Sequence, residues 1–290
     1  MYPAAFEYHA PKTLAEALSL LEQHGDDAKV ISGSMSLVPM MKLRLVTPPH
    51  LVDLRKLPGL SGVSEANGGV RIGAMTTHRD VERNELARKN LPILAEAAGN
   101  IGDPQVRNKG TIGGSLAHAD PSADWPAVAL ALGATVQITG KSGERSATIE
   151  ELIVGPLTTS LNPGELITSV HFPAAAARTG SAYEKCPHPA SRFAVVGVAA
   201  VITLDAGGKV QSARVAITGL GPKATRASAV EQALVGKAAD AAAIEAAAQH
   251  ASDGIEVRAD LTGSAAYKAH LAATYAGRAV AKAAARARGG

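Results

Sequence analysis

Ser32-Gly33-Ser34-Met35-Ser36 and Thr111-Ile112-Gly113-Gly114-Ser115 are the two stretches whose residue types best suit ligand chemistry. Both offer backbone amides and small hydroxyls, and neither contains Lys, Arg, Cys or a carboxylate. Such donors suit a ligand rich in phosphate oxygens, held by hydrogen bonds rather than ion pairs. The first stretch is not a P-loop, because no Gly-Lys-Ser/Thr closes it, and it lacks the Gly-x-Gly-x-x-Gly dinucleotide fingerprint. The second is denser: with Gly110 it holds three glycines and two hydroxyls, more than a plain connection requires. Asp120 and Asp124 follow it, and either one binds sugar hydroxyls or caps a helix beginning at Trp125.

Other chemistries are poorly supported. Cys186 is the single cysteine, which excludes an internal disulfide framework and any cysteine-held iron–sulfur or zinc site within this chain. The histidines are scattered, with His118 and Asp120 two apart and His188 between two prolines, so no metal ligand set is expected. A Gly-x-Ser-x-Gly nucleophile elbow is absent. The net charge of +3 is too small and too dispersed to suggest nucleic acid. The one basic cluster, Arg278, Lys282, Arg286 and Arg288, reads as complementing a helix C-terminus. Read alone, Lys185 is an exposed lysine at a strand end and Phe193 a core aromatic. The N-terminal stretch lacks the pattern of a secretory signal and no apolar run is long enough to span a bilayer, so a cytoplasmic location is expected.

The elements that must position these residues follow from periodicity. Thr13-Leu14-Ala15-Glu16 is a capping box, and Leu14, Ala17, Leu18 and Leu21 share one helical face that ends at Gly25. Residues 28–31 read as a buried strand entering the first loop, with Ser36 as N-cap of a short helix over 37–43 and a strand over 50–54. Residues 1–57 thus form a small α/β unit. Asn67-Gly68-Gly69 turns a hairpin, Thr77 caps a helix over 78–84, and Pro92 begins another. A second hairpin over 135–148 and a strand over 165–172 complete a mixed, mostly antiparallel unit over 58–175. Beyond Pro173, strands over 182–185, 194–204 and 209–218 precede Ala-rich helices over 229–235, 239–251 and 264–285. The class is α+β: a two-part N-terminal domain over 1–175 and a C-terminal domain over 176–290 built on a three-stranded antiparallel sheet.

Several stretches together resemble the flavin-binding medium subunit of molybdenum hydroxylases, above all the type found in aerobic carbon monoxide dehydrogenases. They are residues 11–18, 31–44, 71–78 (Arg-Ile-Gly-Ala-Met-Thr-Thr-His), 105–115 (Gln-Val-Arg-Asn-Lys-Gly-Thr-Ile-Gly-Gly-Ser), 119–124 (Ala-Asp-Pro-Ser-Ala-Asp) and 191–200. The resemblance covers nearly the whole chain. One departure stands out: the family's first loop usually reads Ala-Gly-Gly-x-Ser, and Ser34 replaces its second glycine here. If that position needs positive φ, flavin affinity is expected to suffer.

The resemblance implies that FAD is held between the two domains. Residues Ser32, Gly33, Ser34, Met35, Ser36 and Leu37, with Thr111, Gly114 and Ser115, would cradle the pyrophosphate. Asp124 would hold FAD hydroxyls, and His118 belongs to the same set. Ile101 and Ile167 would line the flavin, Lys185 would sit at its pyrimidine edge and Phe193 against its ring, which reverses the residue-only reading of the last two. No catalytic acid or base is expected on this chain. The implied role is electron transfer. A large molybdenum–pterin subunit oxidises substrate, a small [2Fe–2S] subunit relays electrons to FAD, and quinone or another acceptor receives them. A dimer of heterotrimers and peripheral contact with the membrane follow from the same resemblance. An aldehyde or N-heterocycle dehydrogenase subunit, a self-contained flavoenzyme and a non-redox nucleotide-binding scaffold remain as alternatives.

Overall fold

The computed structural model describes residues 2–289; Met1 and Gly290, the outer limits of the two expected domains, lie outside the described residues. Three parallel strands, in the order Glu7–His9, His50–Asp53, Ala28–Ile31, open the chain. The helix Leu14–His24 packs on them through buried Ala17 and Leu21. Its N-cap differs in detail from the expected box. Thr13 accepts from the Glu16 amide at 3.2 Å, but the Glu16 carboxylate accepts from the Lys12 amide instead of that of Thr13. The strand Glu7–His9 was missed because its three residues carry no alternation long enough to read.

Five antiparallel strands form the second layer, in the order Val63–Ala66, Gly69–Gly73, Leu166–Pro173, Thr135–Gly140, Gly143–Thr148. Asn67 and Gly68 both have positive φ, as a two-residue hairpin requires. Val70, Ile72, Val136, Ile138, Val170 and Phe172 point from this sheet into the largest core. The helix Asp124–Leu132 fills that core and is buried at every position, as its apolar circumference demands.

The third layer has four antiparallel strands, Thr179–Pro187, Ala194–Leu204, Val210–Thr218 and Thr225–Arg226. This corrects the expected three: the fourth is two residues long and pairs only through Ala216 and Ile217, too little to leave a periodic signal. The strand Ala194–Leu204 is nearly continuous apolar sequence because both of its faces are covered. The helix Asp124–Leu132 lies on one side and the 23-residue helix Ala265–Ala287 on the other. Gly180 permits the latter contact, since a Cβ there would lie 2.1 Å from the Ala283 carbonyl oxygen.

The basic cluster at the C-terminal end is also reassigned. Lys282 pairs with Glu96 and, at 2.8 Å, with Glu184, while Arg286 Nη1 reaches Glu96 at 3.1 Å. The Tyr183 amide donates to the same Glu96 carboxylate at 3.0 Å. Burial pushes the Glu96 carboxyl up, but the Arg286 and Lys282 hydrogen bonds outweigh it and leave it below its ordinary value. These side chains therefore join the last helix to the helix Pro92–Asn100 rather than merely answering a dipole. Among the described residues, no helix is long and apolar enough to cross a membrane.

Candidate functional site

Strand Ala28–Ile31 delivers the first loop to the side of the second. The contact depends on Gly33, where a Cβ would fall 2.2 Å from the Lys109 carbonyl oxygen and 2.6 Å from Gly110 Cα. Ser32 Oγ and Thr111 Oγ1 are 3.4 Å apart, and a Cβ on Gly114 would strike both, at 2.7 and 2.8 Å. Two stretches 79 residues apart thus share one wall. Ser34 has φ +64, so the position does adopt the left-handed conformation that glycine tolerates and serine resists. Its hydroxyl donates to the Ser32 carbonyl at 3.2 Å, a local bond that offsets part of the strain.

The two loops are not equivalent donors. Ile112 to His118 is helix rather than loop, with Thr111 as N-cap accepting from the Gly114 amide at 3.1 Å. The Ile112 and Gly113 amides donate to the Thr76 and Ala74 carbonyls, and the Ser115 amide to Thr111 O. The first loop is the opposite case. Among the described residues, no protein acceptor takes the amides of residues 33–37, and Ser36, in N-cap position, makes no capping bond with its hydroxyl. The expected Ser36 cap is therefore absent, because its helical φ and ψ turn the side chain away from the amides that a cap serves. Free amides come from residues 33–37; residues 111–115 contribute hydroxyls and a helix N-terminus.

A second cluster lies where the helix Asp124–Leu132 meets the C-terminal sheet. Asp124 is the first residue of that helix, so the helix does not begin at Trp125 with Asp124 as its cap. Its carboxylate pairs with Lys185 Nζ at 2.8 Å and accepts from the Tyr183 hydroxyl at 2.5 Å. Lys185 also donates to the Asn100 carbonyl at 2.9 Å, next to Ile101. The side chains of Asp124 and Lys185 are 5% and 2% exposed, which makes this a buried ion pair. Burial pushes the Asp124 carboxyl up while Lys185 and Tyr183 pull against it, and burial beside Asp124 raises the Tyr183 phenol so that it stays a donor.

The residue-only readings of Lys185 and Phe193 are both reversed. Lys185 is buried, because strand Thr179–Pro187 turns it inward toward Asp124, and Phe193 is 43% exposed on the turn before strand Ala194–Leu204. Ile167 packs in the main core, Ile101 lies at its edge, and Met35 is exposed. His118 ends its helix 3.9 Å from the Asp120 carboxylate.

Sequence reasoning gave no role to His78, Tyr183 or the Asn100 carbonyl. His78 is buried behind Gly110, and its Nδ1 accepts from Trp125 Nε1–H at 3.1 Å, which places its proton on Nε2. Burial, then the charge of Arg107, holds this imidazole at about 3, so it is neutral at any physiological pH. A groove of about 450 Å³ on the opposite face of the five-stranded sheet, bordered by Arg71, Gln137 and His171, contains none of the expected site residues.

Glycine-mediated loop contact and unengaged amides offer the donors that a phosphate-bearing cofactor needs, and a buried ion pair lies separately at the junction with the C-terminal sheet. Residues 4–175 match the FAD binding domain in molybdopterin dehydrogenase, and residues 181–283 match the CO dehydrogenase flavoprotein C-terminal domain. The carbon monoxide dehydrogenase medium chain of Hydrogenophaga pseudoflava is 42% identical, with 94% of each chain covered. Subunit alpha of the 6-hydroxypseudooxynicotine dehydrogenase complex of Paenarthrobacter nicotinovorans is 40% identical over 99% of this chain and 97% of that one. The solved carbon monoxide dehydrogenase of H. pseudoflava superposes with a TM-score of 0.94 at 44% identity, covering 99% of both chains. The chain belongs to the family of FAD-binding medium chains of molybdenum hydroxylases. It is an FAD subunit of an oxidoreductase complex and a close homologue of carbon monoxide dehydrogenase medium chains.

Proposed function

We propose that this chain is the electron-transfer subunit of a carbon monoxide dehydrogenase-type complex. It takes electrons from the [2Fe–2S] clusters of a small partner subunit and passes them to quinone or another acceptor. Substrate is oxidised at the molybdenum–pterin centre of a large partner subunit, and the assembly is a dimer of heterotrimers in the cytoplasm, in peripheral contact with the inner face of the membrane. The single observation that carries the reading is the apposition of the two loops through Gly33, with the unengaged amides of residues 33–37 beside the Thr111 hydroxyl. Bound FAD supplies a carrier that accepts electrons singly and holds two. Aldehydes or N-heterocycles are the alternative substrates, since the 6-hydroxypseudooxynicotine relative is nearly as similar as the carbon monoxide one.

Within this reading the domains divide at 1–57, 58–175 and 176–290. Residues Ser32 to Leu37 donate amides to the pyrophosphate, and Thr111, Gly114 and Ser115 form the facing wall. Asp124 fixes the Lys185 ammonium, whose positive charge stabilises negative charge at the pyrimidine edge of the flavin. Asp124 is also assigned to the FAD hydroxyls, a contact that requires its carboxylate, 5% exposed, to open toward the ligand. Phe193 is exposed and is assigned to the face of the flavin ring; Ile101 and Ile167 are assigned to its lining, and His118 to the same set.

Gly114→Ala is the test, because its Cβ meets only the Ser32 and Thr111 hydroxyls. Displacing them is expected to weaken FAD binding by about tenfold or more, the equivalent of a lost hydrogen bond to a charged group, with little change in the melting temperature of the apoprotein. Equal loss of fold and flavin would instead make Gly114 a structural glycine, and a wild-type chain that takes up no flavin would overturn the cofactor site.

A further inference from the structure

Three imidazoles that lie far apart in the sequence meet on the small parallel sheet. His9 ends the strand Glu7–His9, His24 ends the helix Leu14–His24 and His50 begins the strand His50–Asp53. One ring nitrogen from each lies within 4.8 Å of the other two. His9 Nε2 and His50 Nδ1 are 3.2 Å apart, and the His24 and His50 rings stack with centroids 3.8 Å apart. The Glu7 carboxylate approaches His50 Nδ1 at 3.5 Å and is free to move, its side chain being 73% exposed. All three histidines are half-buried, so they are held without being sealed from solvent.

This arrangement suits a cation better than it suits three free imidazoles. Zinc–nitrogen bonds of about 2.0–2.1 Å in tetrahedral geometry place neighbouring donor atoms roughly 3.3 Å apart. The His9–His50 pair already has that spacing, and the His24 nitrogen, within 4.8 Å of both, closes on them when its ring swings out of the stack with His50. His24 sits at the C-terminal end of its helix, where the dipole favours positive charge. Three neutral imidazoles and one carboxylate are ligands of a borderline d-block cation rather than of calcium or magnesium. The expectation of no metal rested on separation along the chain, and the fold removes that separation.

We propose that His9, His24 and His50, with Glu7 as a fourth ligand, form a site for a divalent d-block cation of the zinc type. The site pins two strands and a helix of the first subdomain together. It lies at the end of the sheet away from the first loop. His50 pairs with Ala28 at the start of strand Ala28–Ile31, and the loop begins after Ile31, about 10 Å further along. The cation stabilises the unit that carries Ser32–Ser36 without touching the cofactor.

The test uses the full chain without a histidine tag, freed of metal by a chelator and titrated with Zn²⁺ and with Co²⁺. One Zn²⁺ per chain, a higher melting temperature and the intense visible absorption of four-coordinate Co²⁺ are expected. His9→Gln and His24→Gln should each weaken Zn²⁺ binding by more than the roughly tenfold that losing a hydrogen-bond partner behind a ligand already costs. His250→Gln, at an exposed histidine paired with Asp253, is the control and should bind as the wild type does. Melting of the metal-free variants close to the metal-free wild type separates a lost ligand from a lost fold. No stoichiometric uptake, a weak six-coordinate Co²⁺ spectrum, or wild-type Zn²⁺ affinity in both cluster variants would overturn the site.

Discussion

At the scale of single residues, Ser34 and Lys185 carry the most consequence. Ser34 holds a serine at φ +64, so Ser34→Gly is expected to raise the apoprotein's stability by about 0.5 kcal/mol and to tighten flavin retention. Urea unfolding and bound flavin per chain read the two effects separately. Lys185 is different, because its removal leaves the Asp124 carboxylate buried without a cation. Lys185→Met is expected to cost about 3–5 kcal/mol, and adding Asp124→Asn should restore much of it. If the double variant is no more stable than the single one, the pair does not act as a unit. The suspicion about Ser34 could be read from the sequence, because a missing glycine at a loop position is a backbone statement. The Asp124–Lys185 pair could not, because nothing in the local pattern at either residue specifies a partner 61 positions away.

At the scale of elements, short-range chemistry was readable and the long-range partners were not. The helix Leu14–His24, the Asn67-Gly68 hairpin and the Thr77 cap follow from local rules. The stretch 111–115 looked like a loop because glycines weaken helix propensity, yet it forms the first turn of the helix Ile112–His118. Its tertiary surroundings decide the matter: Gly113 must lie against Ala74, where a Cβ would come within 2.5 Å. The five-stranded sheet carries its own pH signature. Arg145 on strand Gly143–Thr148 grips Glu165 through two bonds of 2.8 and 2.7 Å and lowers its carboxyl to about 2. A depressed carboxyl adds stability that is complete above its ordinary value near 4.5 and disappears as pH falls toward 2. Glu165→Gln is therefore expected to lower stability at neutral pH, by less than about 3 kcal/mol given the partly open Arg145, and to flatten the acid limb between pH 4.5 and 2. Denaturant midpoints across that range provide the check.

At the scale of the whole molecule, the helix Asp124–Leu132 is shared property. It fills the core beneath the five-stranded sheet and also packs against the strands Ala194–Leu204 and Val210–Thr218. The Glu96 cluster fastens the same junction from outside, joining Pro92–Asn100 to Tyr183, Lys282 and Arg286. Glu96→Gln removes the charge from that junction and is expected to cost about 1–3 kcal/mol. Limited proteolysis should cut sooner between residues 173 and 180, where the first region passes into the C-terminal sheet, than elsewhere. Unchanged cleavage would mean that the apolar contact alone holds the halves together.

The approach of Gly33 to the Lys109 carbonyl also constrains the order of biosynthesis. The first loop leaves the ribosome early, on a small unit with its own strands and helix, but the wall it faces is synthesised almost eighty residues later and, in the proposed site, the Lys185 cation later still. The cleft cannot exist on a nascent chain that has not passed those points. A cofactor present in the cell has nothing complete to recognise until most of the polypeptide is made, so loading comes late in synthesis or follows it.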